Sequence, residues 1–248
     1  MKESTAIILA AGRGKRLEEM SEEQPKPMTQ IGSISLIENL ISNLIEMGLK
    51  RIVIVSGYLY KVLHKHIKKF NTKTEIITIV NHDYDSTNNI YSLWLANQYL
   101  KEGFFLFEAD IFFEKEIMHK LIVDSAENIM LVGKYSSDMD GTVVEIDKNG
   151  FVNNMLLKKE QTKNTNYRNK FKTVNFYKMG KSFSRNYFTT NLEEHIQSND
   201  LNSYYELIIE EAINDGYKFK AVKTGDLKWW EIDTPQDYDK TKEIFNIK

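Results

Sequence analysis

The sequence predicts a single α/β domain with a mostly parallel, mixed central sheet that is flanked by helices. Short apolar runs rich in β-branched residues alternate with segments of helical period, and the apolar runs are continuous. Continuous apolar strands separated by amphipathic helices are typical of parallel sheets covered on both faces. The 248 residues contain no linker rich in proline or serine, and the length is ample for one large core.

The first half of the chain carries the regular alternation of strands and helices. In "SLIENLISNLIEMG" the apolar residues follow the helical period, and Gly48 stands where a helix C-cap glycine is expected. The predicted order is strand 6–10, helix 35–48, strand 51–57, helix 58–70, strand 75–80, helix 90–100 and strand 104–110. We therefore predict an α/β arrangement up to about residue 135.

The second half is less regular. The turn sequence "KNG" between 141–147 and 151–157 predicts a hairpin, and 158–170 is a polar loop. Further strands are predicted at 172–178, 218–223 and 229–233. Ser203 with Glu206 has the spacing of a capping box, and Thr234 followed by Pro235 is typical of a helix start.

Composition excludes several classes of function. The 33 basic and 35 acidic residues give a net charge of −2, whereas general polyanion binders carry a basic excess. The absence of cysteine excludes disulfides and thiolate metal sites. The apolar run 6–11 is far shorter than a membrane span. We expect a cytoplasmic protein without nucleic-acid or membrane partners, and its oligomeric state is left open, a homodimer included.

The stretch "IILAAGRGKRL" passes abruptly from apolar to small to basic residues. Small residues let backbone N–H groups approach an anion at the end of the first strand, and ligands of open α/β sheets bind beyond strand ends. The candidate nucleotide-binding positions are Leu9, Ala10, Ala11, Gly12 and Gly14. The two glycines are too close together for a P-loop, and Leu17 replaces the third glycine of a dinucleotide fingerprint. For this loop alone, an ordinary glycine turn with solvated basic residues is the alternative.

A second feature makes an anion site more credible. The chain has three prolines, and two of them, Pro25 and Pro27, enclose Lys26. Proline fixes its own φ and favours extended geometry in its predecessor, so the lysine lies on a stiff backbone. This arrangement suits a cation that must point in one direction. The alternative is a surface loop stiffened for stability.

Together these motifs resemble a known family. Leu-Ala-Ala-Gly-x-Gly-x-Arg-Leu followed by Pro-Lys-Pro is similar to the signature of nucleotidyltransferases that join a nucleoside triphosphate to a sugar phosphate or phospho-alcohol. The resemblance implies catalytic roles for Arg16 and Lys26. It also implies a Rossmann-like, GT-A-like fold over 1–248, with a nucleotide-binding half (1–135) and an acceptor-binding half (136–248). The segment "EEMSEEQ" departs from the Arg-Pro-Leu-Thr of the sugar-nucleotide branch, which weakens a sugar-1-phosphate assignment.

Triphosphate chemistry requires a divalent metal, and Mg²⁺ prefers a few carboxylates with phosphate oxygens and water. Asp110 ends the apolar run "FFLFEAD", and Asp233 follows the predicted strand at "WWEID". The resemblance implies that these two aspartates hold the metal and that Asp110 also contacts the nucleotide. Glu108 is a weaker candidate on the same strand. For Asp233 the alternative is a helix N-terminal acid favoured by the dipole, although Thr234 is better placed as the cap.

The segment 86–96 resembles the Asn-Asn-x-Tyr-Ser-Leu stretch of cytidylyltransferases that activate phosphocholine and 2-aminoethylphosphonate. "KTVNFYKMGKSF", "YYE" and "WWEIDTPQDY" favour the aminoethylphosphonate branch. The resemblance implies CTP as the nucleotide substrate, Ser92 near the nucleoside and Gly57 at the base pocket. The expected activity is transfer of CMP to a small phospho- or phosphono-amine with release of pyrophosphate.

The sequence leaves the acceptor open. A quaternary ammonium favours an aromatic cage, for which Trp94, Tyr204, Tyr205, Trp229 and Trp230 are candidates, whereas a primary amine requires carboxylates. The candidate acceptor residues are Asn89, Tyr91, Lys172, Asn175, Tyr205, Glu206, Trp230 and Glu231. Lys178 is a further candidate for the acceptor's phosphorus group. Core packing of the aromatics, and the capping box for Glu206, are the alternatives.

Other functions remain under consideration. Within the same family, the alternative is a nucleotidyltransferase whose acceptor is a sugar 1-phosphate or a phosphorylated amino acid or amide such as phosphoglutamine. From a different class, the same fold serves as a non-catalytic nucleotide-sensing module, but such a module tends to lose one of Arg16, Lys26, Asp110 and Asp233. A glycosyltransferase is disfavoured because the glycine loop and the Pro-Lys-Pro segment have no role there.

Overall fold

The computed structural model of the protein describes residues 4–17 and 22–247. Part of the "EEMSEEQ" departure, residues 18–21, therefore lies outside the described residues. The strands are β1 (Thr5–Ala10), β2 (Gln30–Ile31), β3 (Ile34–Ser35), β4 (Arg51–Ser56), β5 (Glu75–Val80), β6 (Phe104–Glu108), β7 (Ile111–Phe113), β8 (Ile129–Lys134), β9 (Val143–Ile146), β10 (Val152–Leu156), β11 (Phe171–Met179), β12 (Lys220–Lys223) and β13 (Trp229–Glu231). The helices are α1 (Leu36–Glu46), α2 (Tyr60–Ile67), α3 (Asn89–Leu95), α4 (Lys115–Val123), α5 (Lys181–Phe183), α6 (Thr189–Gln197), α7 (Glu206–Asn214) and α8 (Pro235–Ile244).

The central sheet is mixed, as predicted. Within the described ranges it has nine strands, in the order β10-β9-β11-β6-β1-β4-β5, and β8 joins β11 to β12. Strands β6, β1, β4 and β5 are parallel, whereas β11 runs antiparallel to β6, β8 and β9. The predicted hairpin is formed by β9 and β10. Strands β1, β4, β5 and β6 thus form the parallel part of the sheet, and later strands complete it through antiparallel pairs and the parallel pair of β8 and β12.

The core lies on both faces of this sheet. Ile7 and Leu9 of β1 pack into the hydrophobic cluster on one face, and Ala6, Ile8 and Ala10 pack into the cluster on the other. Successive side chains of a strand point to opposite faces, so a strand with helices on both sides needs apolar residues at every position. This explains why the apolar runs are continuous rather than alternating.

One predicted helix start and one predicted helix end are present in the structure, and a second predicted helix start is wrong. Thr234 caps α8 in a capping box, with Pro235 at the first helical position. Gly48 adopts φ +76 just after α1, as a C-terminal glycine does. The predicted Ser203–Glu206 capping box does not form: α7 begins at Glu206 itself, and no side chain caps it. The Glu206 carboxylate instead accepts a hydrogen bond from Thr142 Oγ1.

Several elements escaped sequence reasoning. They include the short strands β2, β3 and β7, the buried strand β8, α4, and the helical segment 181–197, in which a π-helical turn (Ser184–Phe188) separates α5 from α6. None of the helices in the described parts of the chain has the length and hydropathy needed to cross a membrane.

The N-terminus of α1 offers a test of this local reading. Ser35 is fully buried. Its hydroxyl accepts a hydrogen bond from the Glu38 N–H at 3.3 Å and donates one to the Glu38 carboxylate at 2.8 Å. We expect Ser35→Ala to lower the free energy of unfolding by about 1–2 kcal/mol, because a cap and a buried hydroxyl partner are lost together. Ser33→Ala, on an exposed serine of the same turn, is the matched control. Equal urea midpoints for the two variants would contradict the capping role.

Candidate active site

A cavity of about 710 Å³ opens at the carboxyl ends of β1 and β6. Its walls bring together residues far apart in sequence: Gly12 and Gly14 of the glycine loop, Lys26, Asp110 after β6, and Asp233 before α8. Ligand sites of α/β sheets lie at such strand ends, where the loops leave space between them. The motifs singled out in the sequence therefore converge on one concave surface.

Lys26 occupies the centre of this surface. Its Nζ donates to Asp110 Oδ2 at 2.8 Å and to Asp233 Oδ1 at 2.7 Å, and the residue is only 8 % exposed. Pro25 precedes it with φ −67, and the lysine opens a short 3₁₀ turn. Burial by itself lowers the pKa of a lysine, but the two carboxylates outweigh burial and raise the pKa of Lys26 above its ordinary value. The ammonium is therefore firmly charged.

Arg16 approaches one of these carboxylates, that of Asp233, from the solvent side. Its Nη2 lies 2.8 Å from Asp233 Oδ2, while 61 % of its side chain is exposed. Burial raises the pKa of Asp233, but the attraction of Lys26, followed by that of Arg16, brings it below the usual value. Arg13, by contrast, lies over the ring of Tyr58 at 5.3 Å from its centroid. Of the basic residues in the glycine loop, Arg16 is thus the one that joins the charged centre.

The carboxylates around Lys26 include a set suited to a divalent cation. Oxygens of Glu108, Asp110 and Glu231 lie within 4.8 Å of one another, and Asp110 Oδ1 is buried without a hydrogen-bond partner among the described residues. A small set of carboxylates completed by phosphate oxygens and water is what Mg²⁺ prefers. The residues fit the predicted metal, although the structure gathers Glu231 and Glu108 beside Asp110, while Asp233 is held by Lys26 and Arg16.

Glu108 is held by a network of neutral donors. It accepts from Tyr205 Oη at 3.0 Å and from Asn175 Nδ2 at 3.2 Å. Asn175 sits in the left-handed region with φ +59, a conformation that asparagine tolerates better than most residues. Burial, and then the charge of Asp110, raise the pKa of Glu108 well above its usual value. This glutamate, a minor candidate in the sequence, is structurally central.

Lys172 is not a solvated lysine. It is 2 % exposed, its Nζ lies 3.0 Å from Glu231 Oε2, and it donates to the Thr173 carbonyl at 2.9 Å. Gly141, at φ +104, makes room for it, because a Cβ there would come within 2.9 Å of the lysine Nζ. Burial raises the pKa of Glu231 to about 7 against the pull of Lys172. The Lys172 ammonium is thus engaged in an internal ion pair, and its contact with the acceptor stays a prediction.

The predicted nucleotide-binding residues divide between two cavities. Those on the large cavity are Leu9, Ala10, Gly12, Gly14 and Asp110. Ala11 and Ser92 line a neighbouring cavity of about 170 Å³ together with Tyr84. Gly57 packs behind it, since a Cβ at this position would come within 2.6 Å of the Ala11 carbonyl oxygen and of Tyr84 Cβ. Gly57 thus allows close packing under the loop, and its place at the base pocket stays a prediction.

The predicted acceptor residues are brought together only in part. Those that line the large cavity are Asn89, Asn175, Glu206 and Glu231. Trp230 and Lys172 line an adjacent cavity of about 290 Å³, and Tyr205 lies fully buried behind Glu108. Tyr91 stacks on Trp94 at 5.6 Å and is not among the cavity-lining residues. Lys178 turns its ammonium to the Asp124 carbonyl at 3.0 Å.

Sequence reasoning missed one group of residues that line the large cavity. They are Asp140, Thr142, Leu157, Lys158 and Lys159. Asp140 pairs with Lys158 and lies 4.0 Å from Arg16 Nη1. Thr142 and Leu157 lie at the outer ends of the predicted hairpin segments and the others lie next to them, so no local pattern distinguishes these residues as part of a site.

A sheet whose strand ends carry a glycine loop, a buried lysine and clustered carboxylates defines an α/β protein of the nucleotide-handling transferase class. Residues 5–245 match the sequence profile of the nucleotidyl transferase family, and the chain belongs to that family. The resemblance inferred from the motifs is thereby confirmed.

Individual relatives narrow the comparison. A CMP-5'-(3-aminopropyl)phosphonate synthase of Streptomyces rubellomurinus is 28% identical over 94% of this chain and 37% of its own length. A CTP:phosphoglutamine cytidylyltransferase of Campylobacter jejuni is 32% identical over 52% of this chain and 52% of its own length. The chain thus spans about half or less of these curated relatives. The solved CTP:phosphocholine cytidylyltransferase of Streptococcus pneumoniae has the same fold, with a TM-score of 0.77 and 21% identity, over 97% of this chain and 98% of that chain.

The buried pair of Lys172 and Glu231 predicts a large effect on stability. Lys172→Met leaves the Glu231 carboxylate, whose side chain is 21 % exposed, without its charged partner. We therefore expect the free energy of unfolding to fall by about 2–3 kcal/mol, between the values typical of exposed and fully buried pairs. Lys115→Met is the control, because Lys115 pairs with Glu46 on the exposed surface. Chemical denaturation of both variants at pH 8 measures the difference. A loss no larger than that of Lys115→Met would contradict the ion pair's structural role.

Proposed function

We propose that this protein is a cytidylyltransferase that transfers CMP from CTP to a small acceptor carrying a phosphate or phosphonate and an amine. The observation that carries the proposal is Lys26, fixed between Asp110 and Asp233 on the cavity that the glycine loop also lines. A charged lysine beside carboxylates suits in-line transfer at a phosphate, which depends mainly on positioning and charge stabilisation. The comparisons support the choice of CTP, because the two relatives and the solved structure described above carry CMP or cytidylyltransferase in their names.

In this reaction an oxygen of the acceptor's phosphorus group forms a bond to the α-phosphorus of CTP. The bond from the α-phosphorus to the bridging oxygen of the β-phosphate breaks, and pyrophosphate leaves with its electron pair. The attacking oxygen is already ionised at neutral pH, so no side chain has to remove a proton. Lys26 and Arg16 would balance the charge that develops on the phosphates, and backbone N–H groups of the glycine loop would hold them.

The carboxylates Glu108, Asp110 and Glu231 would hold the metal ion. When bound, Mg²⁺ supplies positive charge that offsets the triphosphate. Asp233 would join this set once its charge is no longer shared with Lys26 and Arg16.

The large cavity itself favours an acceptor with a primary ammonium group. Glu206 and Glu231 line it, and Tyr204 is the one aromatic residue among the described residues that do so, with 53 % of its surface exposed. A quaternary ammonium has no N–H and depends on aromatic faces, whereas a primary ammonium donates three hydrogen bonds to carboxylates. The aromatic cage considered from the sequence is not assembled on this cavity, so 2-aminoethylphosphonate is the acceptor we propose first.

A screen of pyrophosphate release tests the proposed activity. CTP, UTP, ATP, GTP and dTTP would each be combined with 2-aminoethylphosphonate, 3-aminopropylphosphonate, phosphocholine, phosphoethanolamine, phosphoglutamine and several sugar 1-phosphates. We expect CTP with an aminophosphonate to give the highest kcat/KM. Turnover with UTP or dTTP in preference to CTP would refute the cytidylyl assignment, and turnover with a sugar phosphate alone would replace the proposed acceptor.

Lys26→Ala should lower kcat by about a hundredfold or more, because it removes charge stabilisation at the reacting phosphate. Lys115→Ala, remote from the cavity, is the control for loss of a lysine. Steady-state kinetics with circular dichroism of each variant separate catalysis from folding. A folded Lys26→Ala variant with near-normal turnover would show that the lysine is structural.

Glu206→Gln should raise the KM for the aminophosphonate about tenfold, since a charge-assisted hydrogen bond becomes a neutral one, and should leave the KM for CTP unchanged. Glu211→Gln lies on the same helix, does not line the cavity and is the matched control. Equal KM values for wild type and Glu206→Gln would remove Glu206 from the acceptor site.

A further inference from the structure

The position of Lys26 has a consequence for the way in which metal and nucleotide enter the site. Its ammonium bridges one oxygen of Asp110 and one of Asp233, and the side chain is 10 % exposed. With Arg16 on the second oxygen of Asp233, two positive side chains face two negative ones. The charge of these four residues is therefore balanced by the protein itself.

The stem of Lys26 is held by packing, whereas its ammonium is held by hydrogen bonds to the two aspartates. Gly14 packs against the stem at φ +68, where a Cβ would lie 2.9 Å from the lysine Cβ and 3.1 Å from its Cδ. The backbone is held by Pro25 and by the hydrogen bonds Met28 N to Pro25 O and Thr29 N to Lys26 O. Rotation about the terminal bonds is thus the way in which the ammonium can leave the carboxylates.

Asp110 Oδ1 has no hydrogen-bond partner among the described residues, whereas Asp110 Oδ2 and Asp233 Oδ1 are held by the Lys26 ammonium. A divalent cation that binds both aspartates through these two oxygens has to displace the ammonium, because two cations a few ångströms apart repel each other strongly in a partly buried site. Gly12, Gly14 and Lys26 line one cavity. We therefore expect the Lys26 ammonium to reach phosphates bound at the glycine loop by rotation of its side chain. A triphosphate offers the ammonium a new anionic partner of higher charge than the aspartates.

We propose that Lys26 competes with the divalent cation for Asp110 and Asp233, and that a triphosphate relieves this competition by drawing the ammonium onto its own oxygens. Metal and nucleotide then bind cooperatively, and the coupling is reciprocal, as linkage requires. This inference rests on the proposed function only for the identity of the nucleotide.

Removal of the lysine charge tests the competition directly. Mn²⁺ alone would be titrated into the full-chain protein, and the free ion followed by electron paramagnetic resonance, for wild type, Lys26→Met, Lys26→Arg and Lys115→Met. We expect Lys26→Met to bind Mn²⁺ at least about tenfold more tightly than wild type, since the competitor is gone. Lys26→Arg and Lys115→Met should match wild type. Equal or weaker Mn²⁺ binding by Lys26→Met would overturn the inference.

The coupling between metal and nucleotide is obtained by calorimetry, from the affinity for CTP in the presence of Mg²⁺ and in the presence of EDTA. The factor by which Mg²⁺ tightens CTP binding should be smaller in Lys26→Met than in wild type, and association of Mg²⁺ with CTP in solution cancels in this comparison. An unchanged factor would contradict the proposal. Neither measurement needs turnover, so a chain that failed the pyrophosphate screen would still give a clear answer on Mn²⁺ alone.

Wild-type crystals provide a readout that does not depend on whether Lys26→Met folds. Anomalous scattering from Mn²⁺ should appear at Asp110 and Asp233 with CTP present and be absent or far weaker without it, with the lysine head displaced in the first case. Full Mn²⁺ occupancy at both aspartates without nucleotide, beside an unmoved Lys26, would overturn the inference.

Discussion

The bridge that Lys26 forms between Asp110 and Asp233 is the interaction on which the rest of the site depends. It joins three segments that are distant in the chain: the Pro-Lys-Pro turn, the end of β6 and the start of α8. Two carboxylates at the mouth of a cavity would repel each other without a shared cation. The buried Lys26 ammonium thus holds the three segments together and keeps the aspartates ionised. It also lines the same cavity as the glycine loop, which is suited to phosphates.

Much of the fold could be predicted because its pattern is local. The parallel strands β1, β4 and β6 are buried on both faces, and the edge strand β5 is partly exposed but keeps a short apolar run, so apolar runs identify all four. The start of α8 is identified by Thr234 and Pro235. The Ser203–Glu206 pattern failed because a capping box specifies spacing, not the direction in which the glutamate turns. Thr142, more than sixty residues away, supplies the competing partner.

The candidate site also contains some features that a local pattern predicts and others that depend on long-range contacts. The glycine loop and the prolines around Lys26 constrain the backbone locally, so sequence alone locates them. The pairing of Lys172 with Glu231 and the hydrogen bond of Tyr205 to Glu108 arise from packing of distant strands, and no motif encodes them. Tyr91 was predicted from a motif whose other members do line cavities. Asn89 and Ser92 lie three residues apart on α3 and therefore share a face, whereas Tyr91 points elsewhere and stacks on Trp94.

The central claim is that this charged centre transfers a CMP group instead of merely binding a nucleotide. A time course of ³¹P nuclear magnetic resonance on protein, CTP, Mg²⁺ and 2-aminoethylphosphonate tests it most directly. The account predicts that the phosphonate signal declines while pyrophosphate and a phosphonate–phosphate anhydride appear in equal amounts. Unchanged CTP and phosphonate signals, or pyrophosphate accompanied by free CMP with no anhydride, would contradict it.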